Sequence, residues 1–132
     1  MNLQSRRDGQ RYSFGEFTLD VPDRRLNRGA CRVHLAPKTY DVLVVLIRRA
    51  GRLVTKHELL ECIWPGVFVA EGILTVHVAA LRKALGDSRR SPAYIETVSR
   101  SGYRFVAIVR HEATADTTTT DRSARFDREV QL

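Results

Sequence analysis

With 132 residues and 43% apolar side chains, the chain is the size of one domain with an ordinary core. Its longest apolar run, Val42–Ile47, is far too short to cross a bilayer, and Met1 to Gln10 holds no hydrophobic signal region, so a soluble cytoplasmic protein is expected. Of the net charge of +7, residues 11–110 hold 17 Lys/Arg against nine Asp/Glu, whereas residues 111–132 hold three against five. A polyanionic partner suits the basic part, although charge alone does not choose between DNA, RNA and a membrane surface.

Residues 1–10 and 111–132 are polar, without hydrophobic period, and read as a disordered terminus and a disordered tail or linker around one domain at 11–110. Tyr12, Phe14, Phe17 and Leu19 alternate about Gly15, where a bulge is expected. Arg24–Arg28 and Cys31–Leu35 flank the turn Asn27-Arg28-Gly29-Ala30 and form a hairpin. Cys31 and Cys62 are expected to be reduced and buried.

A first helix starts at Pro37 and repeats Tyr40, Leu43, Leu46, Ile47 and Ala50 up to Gly51, read as its C-cap. A second opens with the capping box Thr55-Lys56-His57-Glu58, stapled by Val54 and Leu59, and stops at Trp64-Pro65-Gly66. A third spans about Glu71–Leu85, with Leu74, Val78, Leu81 and Leu85 as its buried stripe and Gly86 at its end. Tyr94–Val98 and Tyr103–Ala107 then form a hairpin with the basic tip Ser99-Arg100-Ser101-Gly102. The fold class expected is α+β: a winged helix-turn-helix with an N-terminal antiparallel sheet, three helices and a C-terminal β-hairpin wing.

Trp64, the run Leu74-Thr75-Val76-His77-Val78-Ala79-Ala80-Leu81-Arg82-Lys83-Ala84-Leu85-Gly86-Asp87, and the hairpin Ile95-Glu96-Thr97-Val98 to Gly102-Tyr103-Arg104-Phe105 resemble the effector domain of OmpR/PhoB-type response regulators. Phe14-Gly15 and Leu35-Ala36-Pro37-Lys38 match the same family, and the likeness covers about residues 12–107. With no receiver domain ahead of it, the chain resembles the receiver-less branch. The resemblance implies a regulator of transcription on double-stranded DNA, with the third helix in the major groove and the wing over the minor groove. It also implies a head-to-tail pair on direct repeats, and an approach of the 65–70 loop to RNA polymerase unless that loop is a plain turn.

At 100° per residue, Gly72, Val76, Ala79, Ala80 and Lys83 lie opposite the buried stripe, with His77 and Arg82 on its flanks. The candidate DNA contacts on this helix are therefore Thr75, Val76, His77, Ala79, Ala80, Arg82 and Lys83. Those on the wing are Thr97, Arg100, Gly102 and Tyr103. His77 serves equally as a packing residue, and Trp64 as a core residue. Family members often carry Arg or Ser where this chain has Ala79 and Ala80, so weak direct readout is expected. Alanine reaches only a thymine methyl and cannot make the bidentate guanine contact. The wing arginine is displaced by one residue from the family's Gly-Arg-Gly, yet can enter a narrow minor groove.

Enzymatic chemistry finds no support. His34, His57, His77 and His111 are scattered, no Cys/His spacing suits zinc, and neither a phosphate-cradling loop nor a nucleophile elbow occurs; no cofactor is expected. A winged helix that binds protein through Val76, Ala79 and Ala80 is the competing reading. RNA binding ranks third, without the strand aromatics of an RRM or the GXXG of a KH domain.

Overall fold

In the computed structural model, which describes residues 10–112, Phe14 and Phe17 face each other across a two-residue turn and both point into the core. The break at Gly15 is thus a hairpin turn, not a bulge, and Gly15 takes the left-handed φ of 54° that such a turn requires. Strands β1 (Arg11–Phe14) and β2 (Phe17–Asp20) are followed by β3 (Arg25–Arg28) and β4 (Cys31–Val33). All pair antiparallel in sequence order. A strand that the sequence pattern did not reveal, β8 (Arg110–Glu112), adds to the free edge of β1, so the sheet reads β4-β3-β2-β1-β8. It carries regular structure two residues past position 110.

Helix α1 (Pro37–Arg48) starts at its proline and buries Val42, Leu43, Leu46 and Ile47. It ends before Gly51: Arg49 takes the cap position, and the Gly51 amide instead donates to the Phe105 carbonyl at 2.8 Å. The chain then forms β5 (Leu53–Thr55), another strand missing from the sequence reading, before α2 (Lys56–Ile63). The capping box forms in full. Glu58 N–H donates to Thr55 Oγ1 at 3.0 Å, and Thr55 N–H donates to Glu58 Oε1 at 2.9 Å. The Thr55 amide that Glu58 accepts, with the Thr55 hydroxyl and Arg49 adding to it, holds the Glu58 carboxyl below the usual carboxylate range. Helix α3 (Gly72–Leu85) follows, then β6 (Ile95–Val98) and β7 (Gly102–Phe105), and the second sheet reads β5-β7-β6.

One core joins these parts. Phe14, Phe17, Leu19 and Leu26 of the first sheet, the apolar faces of the three helices, and Ile95 and Phe105 of the wing are buried together. Phe14 packs edge-on to Phe105 at 5.1 Å and to Tyr94 at 5.9 Å between ring centres, which locks the wing's base to the N-terminal sheet. Both cysteines are free, as expected, but exposed. Cys31 stands at the turn end of the edge strand β4, and Cys62 lies off the Leu59/Ile63 stripe that buries α2.

Tyr40 is buried where α1 meets β2, its hydroxyl donating to the Asp20 carbonyl at 3.3 Å and its ring beneath the Arg24 guanidinium. Burial pushes its pKa from 10.0 up to about 12. A group whose pKa rises on folding contributes its full stability below the unfolded value and loses it as pH climbs through the folded one. We therefore expect the urea midpoint to fall between pH 10 and 12, and to fall less in Tyr40→Phe. An equal decline in the two proteins would contradict this assignment.

Candidate nucleic-acid interface

Four apolar residues spaced to one side of α3 decide what its other side shows. Leu74, Val78, Leu81 and Leu85 are buried, which leaves Thr75, Val76, Ala79, Ala80 and Lys83 exposed. The helix starts without a side-chain cap and closes at Gly86 in the left-handed conformation (φ 72°). Arg82 and Lys83 occupy its last turn, where their charge complements the helix dipole.

Beside this face stands the β6–β7 hairpin, and a groove of about 690 Å³ runs between them. Thr75, Ala79, Arg82, Lys83, Thr97, Arg100 and Tyr103 all line it, so seven of the sequence-derived candidates converge on one surface. Val76, 62% exposed, and Ala80 lie on the open face of α3 next to the groove. Two candidates sit elsewhere. His77 points to the opposite flank, its Nδ1 sharing a 2.7 Å hydrogen bond with the buried Thr39 hydroxyl and its ring 5.6 Å from that of Trp64. Gly102 is buried within the wing, at the start of β7 and against β5.

Arg82 and Thr97 act on each other. Arg82 Nη2 donates to the Ile95 carbonyl at 2.7 Å and to Thr97 Oγ1 at 2.8 Å. The guanidinium thus clips α3 to β6 and fixes the width of the groove from its floor. Burial lowers the Arg82 pKa, partly offset by the Asp87 carboxylate. Trp64 is half-buried, with Lys38 Nζ 5.8 Å from its ring centre. Tyr103 is 5% exposed and offers the groove only an edge.

The wing tip is a tight turn closed by Ser101 N–H donating to the Val98 carbonyl at 2.9 Å. Its third residue, Arg100, has a φ of 63°, the left-handed region that glycine prefers. Holding an arginine there costs on the order of 1 kcal/mol, and its side chain is exposed at the mouth of the groove.

The sequence reading missed Lys56, Arg89 and Ser99 as groove residues. In the sequence Lys56 falls inside the capping box, which accounts for it locally. It reaches the groove because β5 brings the start of α2 under the wing, where the Lys56 amide donates to the Ser101 carbonyl at 3.1 Å. Arg89 lies in a loop, where no periodicity assigns a direction. Among the described residues no three His, Cys, Asp or Glu side chains cluster as metal ligands, and no helix is long and apolar enough to cross a membrane.

The family model described as "Transcriptional regulatory protein, C terminal" matches residues 30–105. The transcriptional regulator HilA of Salmonella typhi is 38% identical over 126 residues, covering 93% of this chain and 22% of that protein. Among solved structures, the Klebsiella pneumoniae RstA DNA-binding domain in complex with the RstA box is 31% identical with a TM-score of 0.66, covering 74% of this chain and 97% of that one. The Thermotoga maritima response regulator DrrB, an OmpR/PhoB homologue, is also 31% identical, with a TM-score of 0.68 over 74% of this chain and 44% of that one. The chain spans 22% of the length of HilA and between 19% and 42% of that of other curated relatives.

Proposed function

Because the chain belongs to the OmpR/PhoB-type family of winged-helix transcriptional regulatory domains, we propose that it binds double-stranded DNA and regulates transcription, with α3 in the major groove and the wing over the adjacent minor groove. The observation that carries this reading is the groove itself. The exposed face of α3 and the tip of the wing form one surface edged by Lys83 and Arg100, neither of which has an acidic partner among the described residues. Thr75 supplies a hydroxyl toward phosphates. Arg100 reaches the minor groove. Ala79 and Ala80 limit base readout to apolar contact with thymine methyls, so affinity rests mainly on phosphate.

Pairing on DNA would restore selectivity: two copies head to tail on direct repeats, with half-sites about one helical turn apart. The 65–70 loop is the candidate contact with RNA polymerase, and the adjacent exposed side chains of Val67 (61%) and Phe68 (97%) offer it an apolar surface to bury. Such a protein works in the cytoplasm, and binding rather than catalysis is its activity.

One observation favours a second reading, a protein-binding winged helix: the α3 face is apolar at Val76, Ala79 and Ala80. Selection of duplexes from a random DNA pool, with the winner's affinity measured at two salt concentrations, separates the two. A directly repeated motif whose binding falls steeply with salt supports the DNA reading. Absence of binding to any duplex sinks it and favours the protein-binding one.

A further inference from the structure

Arginine is abundant over the whole surface, but its charge is not spread evenly. Toward the N-terminal sheet and its flank, guanidinium groups meet carboxylates: Arg24 with Asp41 and Arg28 with Glu16 at 3.0 Å, Arg49 with Glu58 at 3.7 Å. On the back of the wing, Arg104 meets Glu96 at 3.1 Å. Around the groove Lys56 still meets Glu71 at 3.8 Å, but Lys83, Arg89 and Arg100 also line it, all exposed and without an acidic partner among the described residues.

Arg89 differs from the other two because its backbone belongs to neither the helix nor the wing. It sits on the α3–β6 loop, and Asp87 ties that loop down. Asp87 Oδ1 accepts from the amides of Ser88 at 2.9 Å and Ala93 at 2.7 Å; Oδ2 accepts from Tyr94 at 3.2 Å and Ile95 at 2.8 Å. Ser88 Oγ accepts from the amides of Arg90 at 3.2 Å and Ser91 at 3.4 Å. Thus the Asp87 carboxylate is engaged by backbone amides rather than by the Arg89 guanidinium, and the backbone on either side of Arg89, at Ser88 and at Arg90 and Ser91, is held in place. A cation on a fixed backbone loses less conformational freedom on meeting a phosphate than one on a free loop.

We propose that Arg89 is a third phosphate-binding arm, gripping the DNA backbone beside the C-terminal end of α3, separately from the helix and the wing tip. The inference rests on the DNA reading above. It places a bidentate phosphate ligand at the edge of a helix face that Ala79 and Ala80 have left without long polar side chains. The gain is in affinity and not in sequence choice, because a phosphate contact carries no base information.

The test measures the affinity of the full chain for the duplex enriched by selection, titrated with KCl from about 50 to about 200 mM, for wild type, Arg89→Ala, Arg89→Lys and Arg25→Ala. Arg25 is exposed on β3, away from the groove, and controls for the simple loss of one charge. Arg89→Ala is expected to flatten the slope of log K against log salt by about 0.9, so that wild type loses roughly threefold more affinity than the variant across that range. Arg89→Lys and Arg25→Ala are expected to keep the wild-type slope. A wild-type slope in Arg89→Ala, or the same flattening in Arg25→Ala, would overturn the proposal while leaving the DNA reading intact. Failure of wild type to bind any duplex would overturn that reading, and the role of Arg89 with it.

Discussion

Replacing Gly102 with alanine should lower stability by about 3 kcal/mol and the Tm by roughly 12 °C or more. Gly102 pairs with Thr55 on one side and Val98 on the other, at the point where the wing's inner strand passes beneath the start of α2. A Cβ there would collide with the Val54 carbonyl oxygen and come within 2.8 Å of Thr55 Cα. Both obstacles are backbone, so no rotamer change relieves them, and β5 must separate from β7. Thr55 is also the residue that caps α2, so the strain passes into the capping box and toward Lys56 at the groove. Thermal unfolding and duplex affinity should therefore decline together. A Tm within a few degrees of wild type would show that β5 is not held against the wing as described.

Asp87→Ala should cost about 3 kcal/mol, since one carboxylate accepts four backbone amides and those of Tyr94 and Ile95 are partly buried. Hydrogen bonds to a charged acceptor contribute roughly 1.5–3 kcal/mol each; the exposed Ser88 and Ala93 amides regain water, which keeps the total below the sum. Asp87→Asn keeps one acceptor oxygen and should lose about half as much. Beyond stability, the change frees the loop that carries Arg89 and loosens the start of β6, where Arg82 clips the wing to α3. Urea unfolding gives the first effect, and the salt slope of duplex binding gives the second. Equal midpoints for Asp87→Ala and wild type would contradict the anchoring role.

The elements that the sequence made legible are those whose signals are local. The capping box at Thr55–Glu58 and the stripe from Leu74 to Leu85 each lie within a few residues, and both stand as expected. Strand β5 escaped notice because Val54 and Thr55 already had roles in starting α2, and their strand partner comes from Gly102–Arg104, some fifty residues later. Strand β8 has no apolar alternation; it forms because β1 offers it an open edge. Gly15 was placed correctly but given the wrong geometry, since a bulge and a two-residue turn both interrupt alternation.

The binding surface divides along the same line. Helical periodicity identified Val76, Ala79, Ala80 and Lys83 as the exposed face of α3. It placed His77 and Arg82 on the flanks without telling which neighbour each flank would meet. Those neighbours are Thr39 and Trp64 on one side and the wing on the other. Arg89 and the positive φ of Arg100 belong to loop geometry, which hydrogen bonds to Asp87 and Val98 determine and no sequence period encodes.

The central claim, that DNA enters the groove between α3 and the wing, is tested most directly by mapping backbone amide shifts as the selected duplex is titrated into the protein. The expected result is that shifts concentrate at residues 74–83 and 99–102, extend into the 87–90 loop, and leave β2, β3 and β4 unmoved. Shifts confined to the N-terminal sheet or to the 65–70 loop, with α3 and the wing silent, would contradict it.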